Sequence, residues 1–189
     1  MKTTLSFGLA FAMSATLVQA DAMQTSMIDY VNDSMREMIN FDAAHNAVKA
    51  SNAAHSGLSE AEIIDLDNLW RSEIGQSPRP TIDPVLSSEV SERLRTYVEE
   101  SAGRVTEIIV MDNRGMNVAV SDVTSDFWQG DEAKYQETYP KGSDAIHVSD
   151  VELDESSQSY QAQVSFVLSD PASGDPIGAV TIGLNAEQF

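Results

Sequence analysis

The sequence has no cysteine, and only 11 lysines and arginines stand against 30 aspartates and glutamates in its 189 residues. Without cysteine there is no thiol nucleophile, no disulfide framework and no Cys-ligated metal centre. A formal net charge of −19 repels phosphate backbones, so no nucleic acid is expected as a partner. Anionic lipid surfaces are disfavoured for the same reason. Such acidity mainly serves solubility. Catalytic motifs are missing too. There is no Gly-x-Ser-x-Gly elbow, no His-Glu-x-x-His and no phosphate-binding glycine loop. The expectation is therefore a non-enzymatic chain with no catalytic residue, no cofactor and no metal. The nearest approaches to a hard-cation site, Asp170 with Asp175 and Asp122 with Asp126, lack the spacing and central glycine of a calcium loop. His45 and His55 stand ten apart, not the four of adjacent helix-face ligands.

Long apolar runs are also scarce, since a spanning helix needs about 20 consecutive apolar residues. The first 20 residues place Lys2 before the short apolar run Leu5–Met13, then Ser14 and Thr16, then Val18-Gln19-Ala20. This is the order of a secretory signal peptide. Cleavage is expected after Ala20, leaving a periplasmic or secreted protein from Asp21 to Phe189.

Helical spacing comes first in that stretch. Met27, Val31, Met35, Met38 and Ile39 recur at helical intervals in a segment expected to run from Gln24 to about Ala54. The methionine stripe reads as core or a helix–helix seam. Ser59-Glu60-Ala61-Glu62 matches a capping box. The helix it opens carries Ile63, Leu66, Leu69, Trp70 and Ile74 on its apolar face and stops at Gly75. A proline-stiffened connector, residues 77–84, precedes a third helix expected at about Leu86 to Ala102. The period then changes. Strands are expected at Val105–Met111, Met116–Ser121, Ile146–Leu153, Tyr160–Leu168 and Ile177–Leu184. Asp112-Asn113-Arg114-Gly115 has hairpin-turn chemistry, and residues 154–157 form another turn. Phe127 to Tyr139 reads as a loop and short helix. Helices followed by strands indicate α+β. The division is 21–103 helical and 104–189 sheet, forming one globular unit. The long helices would cover one face of a five-stranded antiparallel sheet. The Phe127–Tyr139 segment would cover the other, where a pocket would form.

Val105–Met111, the Asp112–Gly115 turn, Met116–Ser121 and then Asp126-Phe127-Trp128-Gln129-Gly130-Asp131-Glu132, behind an N-terminal helical stalk, resemble the extracytoplasmic PAS-like domains of the Cache, or PDC, family. The resemblance covers about residues 24–189. It implies long helices on a PAS-like sheet. It also implies binding of a small organic ligand, such as an organic acid, amino acid or amine. Such domains sit in bacterial histidine kinases, chemoreceptors and cyclic-nucleotide enzymes. This chain departs from them in carrying no transmembrane helix and no output module, and the family's ligand motif is not matched residue for residue. The expected function is thus a periplasmic small-molecule-binding sensor-type domain that passes its signal to a membrane receptor or histidine kinase. The alternative is a partner-binding structural protein, homodimeric through its N-terminal helix.

The candidate ligand-binding residues are Trp128, Asp131, Tyr135, Tyr139, Lys141, Ser121 and Asp150. Tyr135 and Tyr139, four apart, share a helix face. With Trp128 they could form an aromatic wall, and with a nearby carboxylate they would suit a cationic amine. Asp131 is placed to cap the short helix. Lys134 and Lys141 could each clamp a carboxylate, or simply pair with Glu132, Glu137 or Asp144. Ser121 would face the pocket mouth. Asp150 shares a strand face with residues 146 and 148, and His147 faces the other way.

Overall fold

A computed structural model describes residues 21–154 and 159–189. The expected signal peptide, and residues 155–157 of the turn expected after the third strand, lie outside the described residues. No described helix is long and apolar enough to cross a membrane.

Residues 21–30 are helical and continue through a π turn, Val31–Met35, into Arg36–Ile39. The π turn has a cause in the sequence. Met27, Val31, Met35 and Ile39 repeat every four residues, and all four are buried. An α-helix turns once in about 3.6 residues, so a four-residue repeat drifts roughly 40° per step. One turn with i→i+5 bonds takes up an extra residue and returns the stripe to the core. The methionines therefore pack on this chain's own sheet.

The single helix expected from Gln24 to Ala54 is broken in two. Asn40 leaves the helix at φ −80° and ψ 67°, and Phe41 is extended. Asparagine favours such exits by competing for local backbone bonds. Phe41 packs against the core with the Arg93 guanidinium 4.1 Å above its ring. A new helix, Asp42–His55, follows.

The Glu60–Glu73 helix opens on the expected capping box. The Ser59 N–H donates to Glu62 Oε2 at 2.8 Å, and the Glu62 N–H donates back to Ser59 Oγ at 3.4 Å. Its apolar face is narrower than expected. Leu69 and Ile74 are exposed, and the buried stripe is Ile63, Asp67, Trp70 and Glu73. Two of those four are carboxylates that receive backbone N–H groups from loops. Glu73 takes those of Thr81 and Ile82, at 2.8 and 3.0 Å. The expected third helix is present as Glu89–Glu100, and a short helix, Ile82–Leu86, forms at the end of the expected connector. Ser88 caps the Glu89–Glu100 helix by accepting the Ser91 N–H at 3.1 Å.

The strands are β1 (Val105–Met111), β2 (Asn117–Val120), β3 (Ile146–Val148), β4 (Glu152–Asp154), β5 (Ser159–Ser169) and β6 (Pro176–Asn185). All pairs are antiparallel, in the order β2-β1-β6-β5-β3, and β4 also pairs with β5. The fold is α+β. The expected third strand is split into β3 and β4. Ile146 pairs with Phe166 but Glu152 pairs with Gln161, so one extra residue is taken up between them. That is a bulge, and it bends the edge of the sheet. The other edge, β2, is covered by the Glu89–Glu100 helix, whose Ser91 Oγ accepts the Val120 N–H at 2.9 Å. Covering an edge in this way blocks strand addition.

The two faces differ in chemistry. Ile108, Val110, Val164, Phe166, Val180 and Ile182 meet Met27, Val31, Met35, Val48 and Leu94 in the main core. Alternation sends the residues between them to the opposite, open face. There Ile109, Met111 and Ala179 form an apolar half under Tyr135. The rest of that face is polar. Glu107 and Gln163 flank Gly183, and Ser165 sits opposite Thr181.

Candidate functional site in the open-face cleft

The polar half of the open face is roofed by residues 123–134, and several bonds fix that roof. Asp67 Oδ1, almost fully buried, accepts the N–H groups of Phe127 and Trp128. Trp70 stacks on Phe127 at 5.3 Å between centroids, and its Nε1 donates to the Thr124 carbonyl at 2.9 Å. Met116 bridges to Trp128, and the Gln129 N–H donates to the Gly115 carbonyl at 2.7 Å. The roof therefore pairs with the β1–β2 turn through a single bridge. Gly115, at φ 79°, and Gly130 let the two backbones touch. A Cβ on Gly115 would lie 2.6 Å from the Gly130 Cα.

This anchoring aims Asp126, Gln129 and Lys134 at the sheet. Gln129 is buried and donates through Nε2 to Asp126 Oδ1 at 2.6 Å. Its Oε1 accepts from Lys134 Nζ at 3.1 Å. Lys134 also pairs with Glu132 at 3.1 Å and has only 11% of its side chain exposed. Across the floor, Gln163 Nε2 donates to Glu107 Oε1 at 2.7 Å. Between roof and floor lies a cavity of about 230 Å³, lined by Glu107, Ile109, Asp126, Gln129, Lys134 and Gln163. An adjoining cavity of about 410 Å³ shares Lys134 and Gln163 and extends to Asp150, Glu152 and Gln161. Drug-sized sites occupy about 300–1,000 Å³, so the inner cavity suits a small ligand. It holds one sheltered ammonium, two carboxylates and two amides, the donors and acceptors needed for a ligand bearing both charges.

The seven residues singled out in the sequence are scattered by the fold. Asp150 lines the outer cavity. Ser121 is buried, accepts the Ile108 N–H through Oγ at 2.8 Å, and lines a separate groove beside the Glu89–Glu100 helix. Tyr135 and Tyr139 do stack, at 5.5 Å and 17°. Tyr135, however, donates its hydroxyl to the Asn113 carbonyl at 2.6 Å and covers the apolar half of the face. Burial pushes its hydroxyl well above the usual tyrosine range, with Tyr139 and Asp112 adding to the shift. Tyr139 is raised mainly by burial, then by Asp112. Trp128 stands over Gly130 and donates through Nε1 to the Arg114 carbonyl at 2.8 Å, so the three rings do not form one wall around the cleft. Asp131 is exposed and is not the helix cap. The Ala133–Gln136 helix has Glu132 at that position, with no side-chain cap. Lys141 is exposed and pairs with Glu137 at 3.6 Å.

The sequence reading does not single out Glu107, Gln129 or Gln163 as ligand-binding residues, and it weighs Asp126 only beside Asp122 as a cation-binding pair. A signal existed for part of the set. Gln161, Gln163 and Ser165 alternate with Ala162, Val164 and Phe166, which marks a polar stripe on one sheet face.

A second polar cluster has a different use. Asp112, fully buried, accepts from Ser51 Oγ at 2.9 Å, His55 Nδ1 at 2.7 Å, and the N–H groups of Arg114 and Met116, each at 2.9 Å. Serine, histidine and aspartate meet here, but Ser51 and Asp112 both lie at the same ring nitrogen. A hydrolytic relay places them at opposite nitrogens. The cluster ties the Asp42–His55 helix to the β1–β2 turn.

No protein-family model matches the chain, and no curated protein does. Solved structures do match. The ligand-binding domain of the Campylobacter jejuni chemoreceptor Tlp3, in complex with 4-methylisoleucine, aligns at 17% identity and a TM-score of 0.40, over 76% of this chain and 57% of that one. The extracellular domain of the putative histidine kinase vpHK1S-Z8 aligns at 10% identity and 0.47, over 91% and 55%. The ligand-binding domain of the Pseudomonas aeruginosa PAO1 amino acid chemoreceptor PctC, in complex with GABA, aligns at 12% and 0.42, over 66% and 52%. Two of the three are ligand-binding domains of chemoreceptors and one is the extracellular domain of a putative histidine kinase. The chain spans just over half the length of each of these structures.

Proposed function

We propose that this chain is a small-molecule-binding sensor-type domain, not an enzyme, and that its ligand occupies the cleft between residues 123–134 and the polar half of the open sheet face. The observation that carries the reading is the sheltering of Lys134 in one cavity with Glu107, Asp126, Gln129 and Gln163. A sheet face covered only for stability needs apolar contacts, as the opposite face shows. The ammonium and amides there pair with Glu132, Gln129, Asp126 and Glu107, so a ligand bearing both charges would exchange these bonds for its own. The ligand is a small zwitterion such as an amino acid. Its carboxylate meets Lys134 and its ammonium meets Asp126 or Glu107. Organic acids and simple amines would each satisfy half of the cleft. Export follows the signal-type leader, and the bound state is read by a membrane receptor or histidine kinase.

A thermal-shift screen against amino acids, organic acids, amines and divalent ions tests the reading. A ligand at a hundredfold its Kd stabilises by about 2.7 kcal/mol, or roughly 5–10 °C in a chain of this size. Shifts of that order with amino acids, and smaller ones with the half-matching classes, are expected. A flat screen on folded protein contradicts the proposal and favours the partner-binding alternative. N-terminal sequencing of the exported protein tests the location. A chain beginning at Asp21 is expected, and one retaining Met1 opposes it.

A further inference from the structure

We propose that Arg36 anchors a second small-molecule site, specific for an amphipathic monocarboxylate, between the π turn and the β5–β6 loop. It lies on the helix-covered side of the sheet, away from the Lys134 cleft. A cleft of about 560 Å³ opens there. The Arg36 guanidinium stacks 4.2 Å above the Phe166 ring, and its Nε donates to Asn32 Oδ1 at 2.7 Å. These two contacts fix the plane of the fork and use its Nε side. Its Nη edge remains, the edge that grips a carboxylate through two parallel bonds.

Among the described residues Arg36 has no carboxylate within ion-pairing distance, although Lys49, Arg71, Arg79, Lys134 and Lys141 each have one. Arg95 and Arg114, partly buried and likewise without a carboxylate, donate their Nη groups to backbone carbonyls, whereas Arg36 has no such acceptor among the described residues. Burial also pulls its pKa below the usual arginine value, so the charge stands at a desolvation cost that an anion would relieve. The π turn that puts Val31 and Met35 in the core also sets Arg36 over Phe166, and π turns recur at functional sites.

The walls narrow the ligand class. Leu168 and Pro171 supply an apolar surface beside Phe166, and Asn40 and Ser143 supply polar groups. Glu37 also lines the cleft, with Asp170 paired to Lys49 at 2.5 Å, and the Glu37 charge opposes a polyanion more strongly than a monoanion. A single carboxylate on an apolar body satisfies all of these features.

The test is a titration of the 15N-labelled full chain with benzoate and hexanoate, with citrate as the polyanionic control, reading the Arg36 Nε–H resonance. The two monocarboxylates are expected to shift that resonance saturably, and citrate much less. Arg36→Lys, which keeps the charge but loses the fork, should weaken binding roughly tenfold or more. Lys134→Ala should leave this binding unchanged, which separates the two sites. An Arg36 resonance unmoved at saturating benzoate, equal response to citrate, or undiminished affinity in Arg36→Lys overturns the proposal. If Arg36→Lys does not fold, the wild-type resonance alone decides.

Discussion

Asp67 and Phe127 are joined by a 2.8 Å hydrogen bond from the Phe127 N–H to Asp67 Oδ1, and the same oxygen takes the Trp128 N–H at 3.0 Å. One helix carboxylate thus sets the height of the roof above the sheet. Arg71 holds that carboxylate by its other oxygen at 2.8 Å and reaches Asp126 at 3.4 Å. Asp67→Ala leaves two backbone donors without their partner, at about 1–3 kcal/mol each where buried. Denaturant unfolding should show a loss of roughly 2–6 kcal/mol. Ligand affinity should fall as well, although Asp67 does not line the cleft. A stable variant with full affinity would separate the roof from binding.

The contact between Gly115 and Gly130 gives a second expectation. Alanine at Gly115 would hold an L side chain at φ 79° and drive its Cβ into the Gly130 backbone. The strained conformation alone costs of order 1–3 kcal/mol. Gly115→Ala should therefore lower the melting temperature by several degrees. Gly142→Ala, also at positive φ but with nothing within 4 Å of its Cβ, should lower it less. Equal losses in the two variants would show that the close approach adds nothing.

Acid sensitivity should track Glu73. Burial alone would raise its carboxyl, but the N–H groups of Ile82 and Thr81 outweigh burial and hold it below the usual value. A depressed carboxyl stabilises the fold above its unfolded pKa of about 4.3 and loses that contribution as pH falls through the folded value. Asp170 shifts in the same direction, chiefly through its bond from Lys49. Melting temperatures should drop between about pH 5 and pH 3. Glu73→Gln should melt lower at pH 7 and show a smaller drop. An identical pH profile in the variant would remove Glu73 from the account.

Much of the fold was legible in the sequence. Val105–Met111 is a strand with the expected ends, and the Ser59 capping box forms, because both depend on neighbours in the chain. The break at Asn40–Phe41 and the bulge between β3 and β4 were not legible. Each is set by packing or register against elements distant in sequence. The site divides in the same way. Lys134 and its pairing with Glu132 could be read locally. Glu107 and Gln163 acquire meaning only when β1, β6 and β5 lie side by side. Tyr135 and Tyr139 share a face as their spacing implied, but the Asn113 carbonyl that takes the Tyr135 hydroxyl is fixed by the turn.

The exposed residues favoured by the sequence give a direct contrast with the cleft. Asp131→Ala and Lys141→Ala remove side chains that line neither cavity. Calorimetric titration should find ligand affinity within about twofold of wild type, as surface changes generally have small effects. A large loss in either would move the site toward residues 131–141.

The most direct test is calorimetric titration of the strongest amino-acid hit from the thermal screen onto the wild type, Lys134→Ala and Gln163→Ala. With the ligand carboxylate on Lys134 and the floor held by Gln163, both variants should lose roughly tenfold or more in affinity, as charge-assisted bonds imply, while melting near the wild-type temperature. Undiminished affinity in folded Lys134→Ala would place the ligand elsewhere and contradict the open-face site.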